Sequence, residues 1–144
     1  MAIFAVAVIS CDKNNKEKEE PIVNSGKLEI GGETLPLDSA TFAYFEVSAM
    51  GTLKLLNGEK AVNIAFRNVR STEIPIGTFV VNKEDNSKIM LNGVGMNYGK
   101  YIGTCKGDDQ ITISKSGNCY SITLAGTLPP AYKATYSGTI RKAN

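Results

Sequence analysis

The stretch Gln110–Gly126, QITISKSGNCYSITLAG, alternates apolar and polar residues on both sides of a Ser-Gly-Asn turn. Ile111 and Ile113 lie between polar residues before the turn; after it, Ile122 lies between Ser121 and Thr123, and Leu124 follows Thr123. Because successive side chains of a strand point to opposite faces of a sheet, this period of two indicates half-buried strands. The short turn between them predicts an antiparallel hairpin with one buried face and one solvated face.

The same alternation recurs along most of the chain from Gly26 onward. Turn signals such as Gly31-Gly32 and Asn57-Gly58 separate the alternating runs, since glycine accepts the positive φ of two-residue hairpin turns. We therefore predict an all-β domain over residues 26–144, either a single antiparallel β-sandwich or a flattened meander barrel of roughly 8–10 strands. The predicted core contains Val62, Ile64, Phe66, Ile111, Ile113, Tyr120, Ile122, Leu124, Tyr136 and Ile140.

The N-terminal stretch changes abruptly from apolar to charged at a cysteine. Ala2–Ile9 is apolar and Asp12–Glu20 is mostly charged. An apolar run before a small residue is typical of a secretory signal. The charged segment that follows lacks periodicity and apolar residues, which is typical of a flexible tether. The alternative interpretation is a buried N-terminal strand with a core cysteine at position 11.

The residues at this boundary, Val8-Ile9-Ser10-Cys11, resemble the lipobox of bacterial lipoproteins. In that family a diacylglycerol is attached to the cysteine thiol, and the signal peptide is removed in front of it. The resemblance implies that residues 1–10 are a signal-peptide remnant and that Cys11 is the lipidation site. Residues 11–25 would then comprise the anchor cysteine and the flexible charged tether. No Lys or Arg precedes Cys11, so we expect the native start to lie upstream of Met1.

A wider resemblance covers most of residues 26–142. The segments GKLEIGGETLPL, IPIGTFVV and DQITISKSGNCYSITLAGTL, with the closing YKATYSGTI, are similar to small secreted β-domain lipoproteins of Gram-negative bacteria whose function is uncharacterised. The resemblance implies an outer-membrane or cell-surface location on a lipid anchor, with a periplasm-facing position as the alternative. It implies no active site.

Composition excludes several kinds of chemistry. The chain has no histidine, so histidine-based general base catalysis and imidazole metal sites are excluded. Its formal net charge of +2 argues against a nucleic-acid partner, which would require a clustered basic surface. We expect no cofactor and no metal site. Cys105 and Cys119 are expected to form a disulfide outside the cytoplasm, and the alternative is two unpaired thiols on different faces.

Glycines, methionines and tyrosines cluster between Met90 and Tyr101. We interpret this segment as an adaptable binding loop, with Met90, Met96, Tyr98 and Tyr101 as the candidate ligand-binding residues. The alternative is a strand edge with glycine bulges, in which the tyrosines close one end of the fold. Two acidic segments, KEDNS and KGDDQ, are predicted to be hairpin tips.

These features together favour a lipid-anchored envelope protein with a non-enzymatic β domain that serves in binding or adhesion. The expected partners are the membrane, through the lipid, and a glycan, small ligand or envelope protein. One alternative is a lipocalin-like carrier of a small apolar ligand in a closed barrel. The other is an enzyme inhibitor or a histidine-free hydrolase.

Overall fold

The computed structural model describes residues 22–81, 89–105, 107–127 and 130–143. The lipobox-like residues, most of the tether and the KEDNS segment lie outside this range. The described chain forms strands and turns only, which confirms the all-β prediction. In chain order the strands are β1 Ser25–Ile30, β2 Glu33–Leu37, β3 Ser39–Phe45, β4 Met50–Asn57, β5 Lys60–Arg67, β6 Gly77–Val80, β7 Met90–Tyr98, β8 Tyr101–Cys105, β9 Gln110–Ser116, β10 Cys119–Gly126, β11 Tyr132–Gly138 and β12 Arg141–Lys142.

The strands form two separate sheets of six strands each. The first sheet has the order β2-β1-β11-β10-β9-β6, and the second has the order β12-β3-β4-β5-β7-β8. The fold is therefore the predicted sandwich and is not closed into a barrel. The described residues hold twelve strands, more than predicted, partly because the chain passes from one sheet to the other at Asp38 and so divides β2 from β3. The short β12 also pairs parallel to β3, so the antiparallel prediction holds for every strand pair except this one.

One core lies between the two sheets. Nine of the ten predicted core residues are buried, and Ile140 is partly buried against the others. Phe66 of β5 and Phe79 of β6 meet edge to face with ring centroids 5.3 Å apart, which joins the two sheets. Full burial of an aliphatic or aromatic side chain contributes about 1.5–3 kcal/mol, so this layer is the main stabilising element of the domain.

A buried carboxylate lies between β8 and β9. The KGDDQ segment carries the chain from the second sheet to the first, so the prediction of a hairpin tip was wrong there. Asp109 is 0% exposed, and its Oδ1 accepts a hydrogen bond of 2.6 Å from the Tyr132 hydroxyl. Its Oδ2 has no hydrogen-bond partner. Burial, reinforced by the Asp109 carboxylate, raises the pKa of Tyr132 far above its ordinary value.

The β domain includes residues just before Gly26. Strand β1 starts at Ser25, inside the segment predicted as tether. The Asn24 side-chain oxygen accepts a hydrogen bond of 2.9 Å from the backbone N–H of Thr139, which ties the chain to the end of β11. Asn24 and Ser25 therefore belong to the β domain.

Candidate functional site

The segment predicted to be a binding loop is a regular strand and hairpin. Met90, Met96 and Tyr98 belong to β7, which pairs with β5 on one side and β8 on the other. Tyr101 is the first residue of β8, and Gly99, at φ +64°, forms the turn between the two strands. The register shifts beside Asn92-Gly93, so the glycines accommodate a β-bulge, as the alternative interpretation proposed.

Tyr98 is part of the core. Its side chain is 3% exposed, and its hydroxyl donates a hydrogen bond of 2.6 Å to the backbone oxygen of Pro36. The same hydroxyl accepts a hydrogen bond of 3.0 Å from the Asn57 amide nitrogen. Both bonds are made within the protein, so Tyr98 holds three strands together and offers no polar atom to a ligand.

Tyr101 joins the β7–β8 hairpin to the β1–β2 hairpin of the other sheet. Its hydroxyl donates to Glu33 Oε2 at 2.9 Å, and the backbone oxygen of Ile30 lies 3.3 Å away. Lys100 Nζ lies 2.8 Å from the same carboxylate oxygen. The hydrogen bond from Lys100 lowers the pKa of Glu33, and the bond to Glu33 raises the pKa of Tyr101.

Two of the four candidate ligand-binding residues lie together. Met96 and Tyr101 line a small cleft of about 190 Å³, together with Ile30, Ile102 and Cys105 among others. Met90 lies at the opposite end of β7, where its sulfur is 3.9 Å from the Asn68 amide nitrogen. The structure thus separates Met90 from the rest and buries Tyr98.

The expected disulfide between Cys105 and Cys119 is not formed, and that prediction was wrong. Cys105 is a free thiol at the end of β8 in the second sheet, whereas Cys119 begins β10 in the first sheet. Burial, with a smaller contribution from the Asp109 charge, raises the pKa of the Cys105 thiol. A raised pKa keeps the thiol protonated and makes it a poor nucleophile.

The outer face of the first sheet carries ordered rows of hydroxyl groups. Strand register places four threonines side by side across four adjacent strands. The threonine row is Thr78, Thr112, Thr123 and Thr135, on β6, β9, β10 and β11. Two residues further along the strands, the serine row is Ser114, Ser121, Ser137 and Ser25, on β9, β10, β11 and β1. These eight residues define what we call the hydroxyl face.

The spacing of the hydroxyl face follows from sheet geometry. Neighbouring strands lie about 4.8 Å apart, and residues two apart on one strand are separated by roughly 6.8 Å. Six of the eight residues are exposed, and Thr135 and Ser137 are half-buried. Thr78 and Thr112 lie close enough to share a hydrogen bond, with 3.0 Å between their oxygens. The rows therefore form a regular array of polar groups that faces solvent.

Two neighbouring concavities make this face a shallow trough. One, of about 450 Å³, is lined by residues of β1, β10 and β11 that include Lys27, Ser121 and Thr135. The other, of about 290 Å³, is lined by residues that include Thr112 and Asp108. Thr123 lines both, so the trough runs across the strands with Thr123 at its centre.

The charges around the trough have local partners. Lys27, which continues the threonine row on β1, has its Nζ 3.1 Å from Glu29 Oε2. At the other end, Asp108 accepts hydrogen bonds from the backbone N–H and the hydroxyl of Thr127, at 3.0 Å and 2.9 Å. These bonds lower the pKa of Asp108, the backbone bond having the larger effect. Asp108 stays charged, and Lys133 lies opposite Glu29 on the neighbouring strand, so two lysines and two carboxylates border the trough and their formal charges cancel.

Sequence reasoning missed this face because each strand was considered separately. The signal was present as Thr112-x-Ser114, Ser121-x-Thr123 and Thr135-x-Ser137, where hydroxyl residues occupy the side opposite the core. A single strand of this kind is an ordinary solvated strand. Only the cross-strand register converts the three into continuous rows.

Comparisons with known proteins do not assign the chain to a family or a function. It matches no protein family, no curated protein and no solved structure. Within the described residues there is no group of three or more Cys, Asp or Glu side chains positioned to hold a metal ion. No helix in that same part of the chain has the length and apolar character to cross a membrane.

Proposed function

We propose that this protein is a lipid-anchored bacterial envelope protein whose β domain binds a ligand and does not catalyse a reaction. The hydroxyl face is the binding surface. One observation carries the proposal: the strands of the first sheet pair in a register that aligns their hydroxyl residues into two rows along a trough. The lipid on Cys11 would present this surface from the outer membrane or the cell surface.

The proposed location at the cell envelope rests on the N-terminal residues. The apolar run Ala2–Ile9 ends at Ser10-Cys11 and is followed by a charged segment, which together resemble a lipoprotein signal and tether. One acyl chain gives marginal membrane binding, whereas the lipids added to a lipoprotein cysteine give a stable anchor. An anchor at the envelope brings a binding domain to the place where extracellular ligands arrive.

The chemistry of the face supports binding over catalysis. A threonine hydroxyl becomes a nucleophile only when a neighbouring base removes its proton. The one threonine–carboxylate pair at the trough is Thr127 with Asp108. The lowered pKa of Asp108 makes this carboxylate a weak base near neutral pH, and the chain has no histidine to replace it.

The proposed lipid attachment at Cys11 is tested by metabolic labelling. Full precursor is expressed in a Gram-negative host with labelled palmitate, beside Cys11→Ala and, as a matched control, Cys105→Ala. We expect label in the unmodified chain and in Cys105→Ala, and none in Cys11→Ala. Equal labelling of Cys11→Ala would show that the lipid is not attached at this cysteine.

The binding surface is tested with a charge placed at the centre of the trough. The purified chain, Thr123→Lys and the control Thr52→Lys, which lies on β4 of the other sheet, are screened against immobilised polysaccharides, purified envelope proteins and lipid vesicles. We expect at least one material to bind the unmodified chain and Thr52→Lys, but not Thr123→Lys. Binding that Thr123→Lys leaves intact would place the site elsewhere, and turnover of any polymer would overturn the non-enzymatic assignment.

A further inference from the structure

We propose that the ligand of the hydroxyl face is an uncharged linear polysaccharide whose chain lies across the strands of the first sheet. This inference rests on the proposed function and names the ligand class of the same surface. It follows from three properties of the trough: the kind of hydrogen-bonding group, the charge balance and the shape.

The hydrogen-bonding groups of the trough match those of sugars. Each serine or threonine hydroxyl has one donor hydrogen and two acceptor lone pairs, and its hydrogen rotates to suit its partner. The hydroxyls of a sugar have the same dual character. Thr112 and Thr123 are exposed and paired on adjacent strands at the middle of the array, so a chain that crosses the strands meets them in succession. Ser121 is exposed two residues from Thr123 on the same strand, within the second row.

The charges disfavour a polyanion. The cations nearest the rows are Lys27 and Lys133, and both lie beside Glu29: Lys27 as an ion pair, Lys133 as its cross-strand neighbour. Asp108 adds a further negative charge at the other end of the trough. A polyanion requires a surplus of cations along its path to replace its counterions, and the described residues of this path do not supply one.

The shape favours one chain over a flat solid or a folded protein. Adjacent strands of a sheet are rotated by roughly 20–25°, so rows that cross four strands follow a curve. A single extended chain follows such a curve, whereas a planar crystal surface departs from it. Protein interfaces are usually centred on buried aromatic or arginine anchors, and the rows consist of serine and threonine alone.

The sharpest test removes hydroxyls without changing shape. The purified chain is run in native gels that contain soluble neutral polysaccharides (mixed-linkage glucan, xylan, mannan or dextran) or polyanions (polygalacturonate or heparin). It is compared with the double variant Thr112→Val/Thr123→Val and with the control Thr52→Val on the second sheet. Valine keeps the β-branched outline of threonine, so a loss reports on the hydroxyls.

We expect at least one neutral polysaccharide to retard the unmodified chain and Thr52→Val, with a dissociation constant about tenfold higher for the double variant. The retardation should persist at high salt, because no charge pairing is involved. Retardation by polyanions alone, or by neutral chains equally for the double variant, would overturn the inference. If Thr123→Lys abolishes binding to a protein or vesicle while no polysaccharide retards the chain, the proposed function stands and the polysaccharide inference fails.

Discussion

In the β7–β8 hairpin the hydroxyls of the tyrosines bond to the facing hairpin of the other sheet, whereas on the hydroxyl face six of the eight side chains are exposed to solvent. Tyr98 and Tyr101 each reach across to the β1–β2 hairpin, where the Pro36 backbone oxygen and the Glu33 carboxylate accept hydrogen bonds from their hydroxyls. Thr112 and Thr123 lie on adjacent strands with their side chains outside the core. Both regions contain polar residues, but the tyrosine side chains are fixed by hydrogen bonds to another hairpin, whereas the threonine side chains are exposed on the outer face of a sheet.

This difference shows that residue type is a poor guide to a binding surface in a sandwich of this size. A tyrosine is large enough to span the gap between two hairpins, so it serves as a structural tie wherever its hydroxyl finds a partner. Serine and threonine are too short to do so from an outer face. Their arrangement on the outer face is therefore set by strand register.

Replacing Tyr98 should give the largest effect on stability. Tyr98→Ala removes a ring that is 3% exposed, and such truncations cost about 3–5 kcal/mol. Tyr98→Phe keeps the ring and leaves the Pro36 oxygen and the Asn57 amide without their partner, at a cost of about 1–3 kcal/mol. Urea unfolding followed by circular dichroism measures both. A loss below about 1 kcal/mol for Tyr98→Ala would contradict the structural role assigned to the hairpin.

Tyr132 and Tyr136 test the inner side of β11, the strand that carries Thr135 on its outer side. Tyr132→Phe leaves the buried Asp109 carboxylate without a hydrogen bond, and a bond to a charged group contributes about 1.5–3 kcal/mol. Tyr136→Phe is the matched control. It removes a bond of 2.7 Å to the backbone oxygen of Thr139, with an expected cost of about 1 kcal/mol. Equal losses of stability in the same unfolding assay would show that the Tyr132–Asp109 hydrogen bond stabilises the fold no more than the Tyr136–Thr139 bond does.

Much of the fold could be predicted because alternation is a local property. The core residues of β5, β9, β10 and β11 follow directly from the period of two, and Gly31-Gly32 marks a turn with positive φ at both residues. The membership and order of strands in each sheet could not be predicted, since they depend on which distant strands pair. The KGDDQ segment shows this well: its composition is that of a hairpin tip, yet it connects the sheets and buries Asp109.

The candidate site was harder to predict for the same reason. Met90, Met96, Tyr98 and Tyr101 are close in sequence, but the β-bulge in β7 and the Gly99 turn separate them. Met96 and Tyr98 are buried, Met96 and Tyr101 line a small cleft, and Met90 lies at the far end of β7. The hydroxyl rows come from strands far apart in the chain, such as β1 and β11. The bulge and the register between distant strands decide these outcomes, and neither can be deduced from the residue pattern of one strand.

The contact between the two hairpins can be tested at Gly31 and Gly32. Both have positive φ, +60° and +81°, so alanine at either position should cost about 1–2 kcal/mol. At Gly31 the added Cβ would also collide with the Tyr101 hydroxyl, whereas at Gly32 it would meet nothing. Gly31→Ala should therefore be the more destabilising, and Tyr101→Phe should reduce the difference in a double-mutant cycle. Equal effects of the two alanines would mean that the hairpins do not touch at this point.

The smallest effect on stability is expected on the hydroxyl face. Thr123 is exposed, and valine preserves its β-branched shape and strand preference, so Thr123→Val should change the free energy of unfolding by no more than about 0.5 kcal/mol. Its buried neighbour Ile122, whose side chain points to the other side of the same strand, should lose about 2–5 kcal/mol on truncation to alanine. The same urea titration compares the two.

If Thr123→Val were as costly as Ile122→Ala, the hydroxyl would be needed to hold the sheet together. A loss of binding in Thr123 variants could then no longer be ascribed to a missing contact with the ligand. A near-zero change would show that the fold does not require this hydroxyl, which leaves the surface available for recognition.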